Sequence, residues 1–213
     1  MKEQDEWVLD RGEMVQQMRR YGIRDERILV AMQKVRRHCF IPEPHRSRRT
    51  AYGDHPWEIG HGQTISQPYI VAYMIERLGL QPGQKVLEIG TGSGYEAAIL
   101  AELGLRVYTV ERIPALEEAA VQALAAEGYG HAQVLLGDGY RGWPEHAPYD
   151  GIVVSCAPDG VPPALVDQMG DGGRMIVPIG SGYQRLVMVT RAGGRVEQHD
   201  DLAVRFVPMV PGE

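Results

Sequence analysis

The chain has 213 residues, a net charge of −6, 44% hydrophobic and 23% charged residues. These are globular values that suit one domain with additions. They argue against the broad basic surface of a nucleic-acid binder, and no apolar run approaches the roughly 20 residues that a bilayer span needs. The acidic stretch from Met1 to Glu6 lacks the apolar centre of a signal peptide, so a cytoplasmic protein is expected. Cys39 and Cys156 have neither metal-ligand spacing nor the pattern of a disulfide framework.

Residues 6–20 carry Val8, Met14, Val15 and Met18 as the apolar set of a helix closed by Gly22. Asp25 reads as the N-cap of a second helix with Ile28, Leu29, Met32 and Val35 at helical spacing. From His38 to Gln67 prolines and glycines break every period. A loop of that length is either functional or disordered, and Phe40, Ile41, Tyr52, Trp57, Ile59 and Ile65 disfavour disorder. Ser66 is expected to cap a helix that begins at Pro68 and runs to Gly79. Two readings of this segment stand side by side: a helix cap and nothing more, or an anion cradle made by Thr64, Ser66 and the free N–H groups of that helix start.

Lys85–Ile89 is a short apolar run with β-branched residues, a buried parallel strand. It leads into Gly90-Thr91-Gly92-Ser93-Gly94, then into the helix formers of 96–103. Strand, glycine turn and helix open a nucleotide-binding unit. A dinucleotide fingerprint needs a third glycine where Tyr95 stands, and Glu88 puts a carboxylate at the strand's end. The variant resembles that of S-adenosylmethionine (SAM) methyltransferases, whose ligand carries an amino group and a sulfonium in place of phosphate.

Arg106–Val110 is the second strand. Glu111 follows the glycine turn by about the 20 residues at which a ribose-binding acid is expected. A helix from Pro114 to Glu127 and a strand over Gln133–Leu136 lead to Gly137-Asp138-Gly139, which reads either as a tight turn alone or as an acid that binds near an adenine ring. Gly151–Ser155 is the fourth strand. Asp150 lies at its N-terminal end and is excluded from the site, because ligands lie at strand C-termini. A short helix over 162–169 and a strand over 173–178 follow. The remainder reads as a meander: a strand over 185–190, a hairpin signal at 191–195, and a last strand over 202–207.

Gly62-Gln63-Thr64-Ile65-Ser66-Gln67-Pro68, Val86–Tyr95, Val110-Glu111-Arg112-Ile113 and Gly137-Asp138-Gly139 together resemble the blocks of bacterial-type protein-L-isoaspartate O-methyltransferases. The resemblance runs from Tyr21 to Pro208. Glu58-Ile59-Gly60, Tyr140 and Ser155-Cys156-Ala157-Pro158 depart from the family's usual residues, which touches details of the pocket only.

The resemblance implies an α/β fold: a doubly wound, mostly parallel seven-stranded sheet with N-terminal accessory helices and a C-terminal antiparallel meander. The divisions expected are 1–67 for helices and acceptor loop, 68–180 for the SAM-binding core and 181–213 for the final strands. The implied reaction is transfer of a methyl group from SAM to the free α-carboxyl of L-isoaspartyl residues, leaving S-adenosyl-L-homocysteine. Ser66 would be catalytic. Gln63, Thr64, Ile65, Ser66, Glu88, Gly90, Thr91, Gly92, Ser93, Gly94, Glu111, Arg112, Ile113, Asp138 and Gly139 would hold the cofactor. Thr64, Ile65, Ser66, Val204 and Arg205 would meet the acceptor. No metal, nucleic acid or membrane is implied, and a monomer is expected. The alternative is a SAM methyltransferase with a small-molecule or RNA acceptor.

Overall fold

The computed structural model describes residues 2–211. Two helices, α1 (Lys2–Tyr21) and α2 (Glu26–Lys34), come first. Asp25 caps α2 as its position suggests, accepting the Arg27 N–H at 2.9 Å. The broken-period stretch that follows is ordered. It contains α3 (Arg48–Tyr52), capped by Ser47, and a hairpin of β1 (Trp57–Gly60) and β2 (Gln63–Ile65). Its elements are too short to show a period.

After α4 (Pro68–Leu78) the chain alternates β3 (Lys85–Ile89), α5 (Tyr95–Glu102), β4 (Arg106–Glu111), α6 (Pro114–Ala126), β5 (Gln133–Leu136) and β6 (Tyr149–Val154). It then runs through α7 (Pro163–Asp167), β7 (Met169–Ile179), β8 (Gln184–Ala192) and β9 (Arg195–Val204). The seven-stranded sheet has the order β5-β4-β3-β6-β7-β8-β9. Its first five strands pair in parallel; β8 and β9 are antiparallel.

The β3 side chains alternate between two cores. Val86 joins Ile75, Ala98, Val107 and Val153 on one face; Leu87 and Ile89 join Val110, Ile152 and Val154 on the other. Both faces are covered, which is why β3 reads as a continuous apolar run. The first core also receives Met14, Met18, Leu29 and Met32, so the accessory helices are part of the packed molecule.

Two expectations change. Ser66 does not cap α4: the N-cap is Gln67, without a side-chain cap. Asp54 does the capping from 15 residues upstream, accepting Tyr69 N–H at 2.9 Å and Gln67 Nε2–H at 2.9 Å. The Tyr69 N–H that an anion cradle would use is therefore taken. The last strand is also earlier than expected. β9 pairs straight from the Gly193-Gly194 turn and ends at Val204. The chain then leaves the ladder, and the Gln184 side chain replaces a strand partner, accepting Phe206 N–H at 2.6 Å and donating to Phe206 O at 3.1 Å.

Candidate active site

The glycine turn lies where β3 ends between β4 and β6, the point at which strand order reverses. Gly90 (φ 93°) and Gly92 (φ 54°) adopt left-handed backbone that lets the chain fold tightly over the strand ends. A cavity of about 850 Å³, counted to its open mouth, lies against this turn. Gln63, Thr64, Ile65 and Ser66 form one side; Glu88, Gly90, Thr91, Gly92 and Ser93 form the floor. Glu111, Arg112, Ile113 and Gly139 form another wall.

Two residues expected here stand apart. Gly94 is the N-cap of α5; a Cβ there would meet Leu124 Cγ at 3.2 Å, so the glycine serves the packing of α5 on α6. Asp138 lines an adjoining open cleft with Arg112 and Arg141, and its Oδ1 accepts Tyr140 N–H at 2.9 Å. Asp150, excluded from the sequence, accepts Lys85 N–H at 2.7 Å at the opposite end of the sheet.

Glu111 is 6% exposed and works within the protein as well as toward a ligand. Its Oε1 accepts the N–H groups of Arg112 and Ile113, each at 2.9 Å, and its Oε2 accepts Gly92 N–H at 2.9 Å. A carboxylate has about four lone-pair directions. One remains, on Oε2, so one ligand hydroxyl can be accepted without sharing.

Glu88 and Glu96 are the other acids of this cavity, both buried. Ser155 Oγ donates to Glu96 Oε2 at 2.6 Å; the other three carboxylate oxygens have no partner in the structure. Burial pushes both carboxyls up, Glu96 to about 7 and Glu88 well above the usual range, where Glu96 and Glu111 add like-charge repulsion. The Thr109 hydroxyl acts the other way on Glu88, although its hydrogen bond, at 2.6 Å, is with Thr91. A floor of carboxylates suits an ammonium or sulfonium ligand and repels a pyrophosphate. The donor set thus fits SAM better than a dinucleotide.

A second cleft adjoins the first. It is lined by Pro56, Gln67, Ile70 and the run Ala203–Val207, which includes Val204 and Arg205. Thr64, Ser66, Ser155 and Val207 line both spaces and so form their common wall. Ile65 faces the first cavity only. Beneath this wall lies Arg37, wholly buried, which donates to Ser66 O at 2.9 Å, Ala51 O at 3.0 Å and Thr50 O at 3.2 Å. Its guanidinium carbon is 5.3 Å from the Tyr95 ring centre. Burial lowers its pKa to about 10, so it stays charged at neutral pH.

Several lining residues were not legible as site residues. Glu96 looks like an ordinary first-turn acid. Ser155 and Cys156, at the end of the expected fourth strand, belong to no motif and stand out only as a departure from the family's usual residues. Val207–Val210 reach the cavity because the chain returns to β6: Ala157 N–H donates to Val207 O and Met209 N–H to Ala157 O, both at 2.8 Å. Among the described residues no group of three or more His, Cys, Asp or Glu side chains could hold a metal. No helix there is long and apolar enough to cross a membrane.

Residues 10–213 match the family model described as protein-L-isoaspartate(D-aspartate) O-methyltransferase. A protein-L-isoaspartate O-methyltransferase of Gloeobacter violaceus is 51% identical over 196 residues, 91% of this chain and 95% of the relative. One of Halorhodospira halophila is 52% identical over 205 residues, 95% and 92% respectively. A solved protein-L-isoaspartate O-methyltransferase superimposes with a TM-score of 0.86 at 31% identity, covering 93% of this chain and 65% of that one. A Plasmodium falciparum structure of the same description, in complex with S-adenosyl-L-homocysteine, gives 0.82 at 25% identity, covering 93% and 97%. With a family match across almost the whole chain and relatives at half identity, this chain belongs to the protein-L-isoaspartate O-methyltransferase family.

Proposed function

We propose that Ser66 and Thr64 hold an isoaspartyl carboxylate on the wall between the two clefts, with the methyl donor on the other side. The protein is a SAM-dependent methyltransferase that esterifies the α-carboxyl of L-isoaspartyl residues in damaged proteins and peptides. The ester then closes to a succinimide, part of which reopens to aspartate. The observation that carries this reading is the shared wall: Thr64, Ser66, Ser155 and Val207 line both spaces.

SAM, when bound, supplies a methyl carbon activated by its sulfonium. Glu111 would accept a ribose hydroxyl, with Arg112 and Ile113 beside it. Gly139, and Asp138 at the cleft beyond, would flank the adenine. The turn from Gly90 to Ser93, with Glu88 and the edge formed by Gln63 and Ile65, would take the amino-acid half. The acceptor is a carboxylate already ionised at neutral pH, since such groups titrate near 4. No strong base is required. Alignment and removal of water are the protein's tasks, and alignment is worth roughly 7–11 kcal/mol in favourable cases. The Ser66 hydroxyl makes no hydrogen bond among the described residues and is free to donate to the acceptor. Arg37 fixes the Ser66 carbonyl from behind. Val204 and Arg205 border the peptide's path.

The same reading has the enzyme acting as a monomer in the cytoplasm on protein and not on nucleic acid; the net charge of −6 supports the last point. The test is a pair of peptides that differ only in isoaspartyl against aspartyl linkage, assayed with labelled SAM. Methyl incorporation is expected in the isoaspartyl peptide alone. Ser66→Ala should lower kcat/KM by about 10–100-fold, the loss of one charge-assisted hydrogen bond. Unchanged kcat and KM would remove Ser66 from the mechanism.

A further inference from the structure

Besides Glu111, the cavity lining holds two buried carboxyl groups, Glu88 and Glu96. Glu88 comes from the end of β3 and Glu96 from the first turn of α5. They are 1% and 6% exposed. Three of their four oxygens lack any partner, and only Glu96 Oε2 is held, by Ser155 Oγ at 2.6 Å. Buried acceptors are almost always satisfied, so three orphaned oxygens on two residues that line one cavity point to a donor that belongs there.

The surrounding charges do not supply it. From α5 and β4, Glu96 and Glu111 face Glu88, and both are acids. From the end of β6, Ser155 contributes a hydroxyl and Cys156 a thiol that burial and Glu111 keep protonated, with its pKa raised to about 12. Arg112 is the Arg or Lys side chain of the lining, and it forms no ion pair with either glutamate among the described residues. Two unpaired buried carboxylates cannot both ionise cheaply beside one another.

We propose that Glu88 and Glu96 form one receptor for the ammonium group of the cofactor, sharing a proton in the free protein and releasing it to solvent as the ammonium enters. A protonated carboxyl can still accept through its carbonyl oxygen, but the ammonium's charge is answered only by an ionised carboxylate, so its entry favours loss of the acid proton. The ligand keeps its own protons and no covalent bond changes. The inference rests on the SAM reading above and extends it: Glu96 becomes a cofactor-binding residue, held in place by Ser155, and affinity becomes linked to pH.

The experiment is calorimetric titration with S-adenosyl-L-homocysteine near pH 7 in phosphate and in Tris, whose protonation heats differ. The heat difference counts protons. Release of about half to one proton is expected, with the Kd rising by up to tenfold per pH unit below about 6.5. 5′-Methylthioadenosine, which has the nucleoside and thioether without the ammonium, should bind with no release and no pH slope. Glu96→Gln, its fold checked by circular dichroism, should release less than half the wild-type count and flatten the slope. If that variant does not fold, the two ligands on the wild-type protein carry the test. Buffer-independent heat, equal release with both ligands, or undiminished release in folded Glu96→Gln would overturn the proposal while leaving the SAM reading standing. Failure of S-adenosyl-L-homocysteine to bind at all would overturn both.

Discussion

Replacing Glu111 by glutamine tests the double duty assigned to that residue. The side chain keeps its shape, but one of its two ends becomes a donor. Oε1 faces two backbone N–H groups and Oε2 faces one, all at 2.9 Å. The amide will keep its oxygen toward Arg112 and Ile113, because the alternative orphans two N–H groups. Its NH2 then points at Gly92 N–H, donor against donor. Two charge-assisted bonds become neutral ones, each weaker by about 1 kcal/mol, and the third is lost at about 1–3 kcal/mol. The neutral amide is cheaper to bury, which trims the sum to about 2–3 kcal/mol. With a urea slope of about 2 kcal/mol/M, the unfolding midpoint of the cofactor-free protein should fall by roughly 1–1.5 M. The disturbed glycine turn and the lost ribose acceptor should also weaken S-adenosyl-L-homocysteine by about 10–100-fold, measured by calorimetry. A midpoint shift below about 0.3 M would refute the claim that Glu111 organises the turn. A large shift with unchanged affinity would instead remove it from the ribose site.

Three further substitutions follow from the geometry. Gly139→Ala would bring a Cβ to 2.6 Å from Ile89 Cγ2 and 3.0 Å from Met209 Cε; Met209 can move but Ile89 lies in β3, so thermal unfolding should report a loss of about 1–3 kcal/mol. Asp54→Ala removes the distant cap of α4 and should cost about 1–2 kcal/mol by urea denaturation, while raising KM for the isoaspartyl peptide because the Ser66-Gln67 segment loses its anchor. Glu96→Gln should alter the pH dependence of stability. Glu96 titrates near 7 when folded and near 4.5 when unfolded, so its stabilising contribution is complete below about pH 4.5 and is lost as pH rises through 7. Wild type and variant should therefore have similar stabilities near pH 4.5, with the variant relatively more stable by up to about 3 kcal/mol at pH 8; the opposite order at pH 8, by chemical denaturation, would show that Glu96 is buried as a satisfied anion.

Much of the fold is local and was legible for that reason. The apolar run of β3, the glycines after it and the helix formers of α5 act over neighbouring residues, and their order implies a parallel sheet with a ligand at the strand ends. Glu111 was legible because one crossover sets its distance from the turn. Asp25 was legible because an N-cap bonds two residues on. Ser66 shows the limit of such reasoning: a serine just before Pro68 has the right local signature for a cap, and a carboxylate from Asp54 takes the role.

What tertiary structure alone decided are the pairings between distant segments. No sequence period announces that Asp54 meets Tyr69, that Arg37 holds Ser66, or that Val207–Met209 returns to Ala157 at the end of β6. Sequence motifs likewise named Glu88 and left Glu96 looking like a solvated helix acid. The two line one cavity only because the tertiary fold brings the first turn of α5 beside the end of β3, which buries both carboxylates and lets Ser155 hold Glu96. Local patterns thus determined which elements form and roughly where a cofactor lies. Burial decided which charges face one another there, because desolvation depends on everything that surrounds a residue and not on its neighbours in the chain.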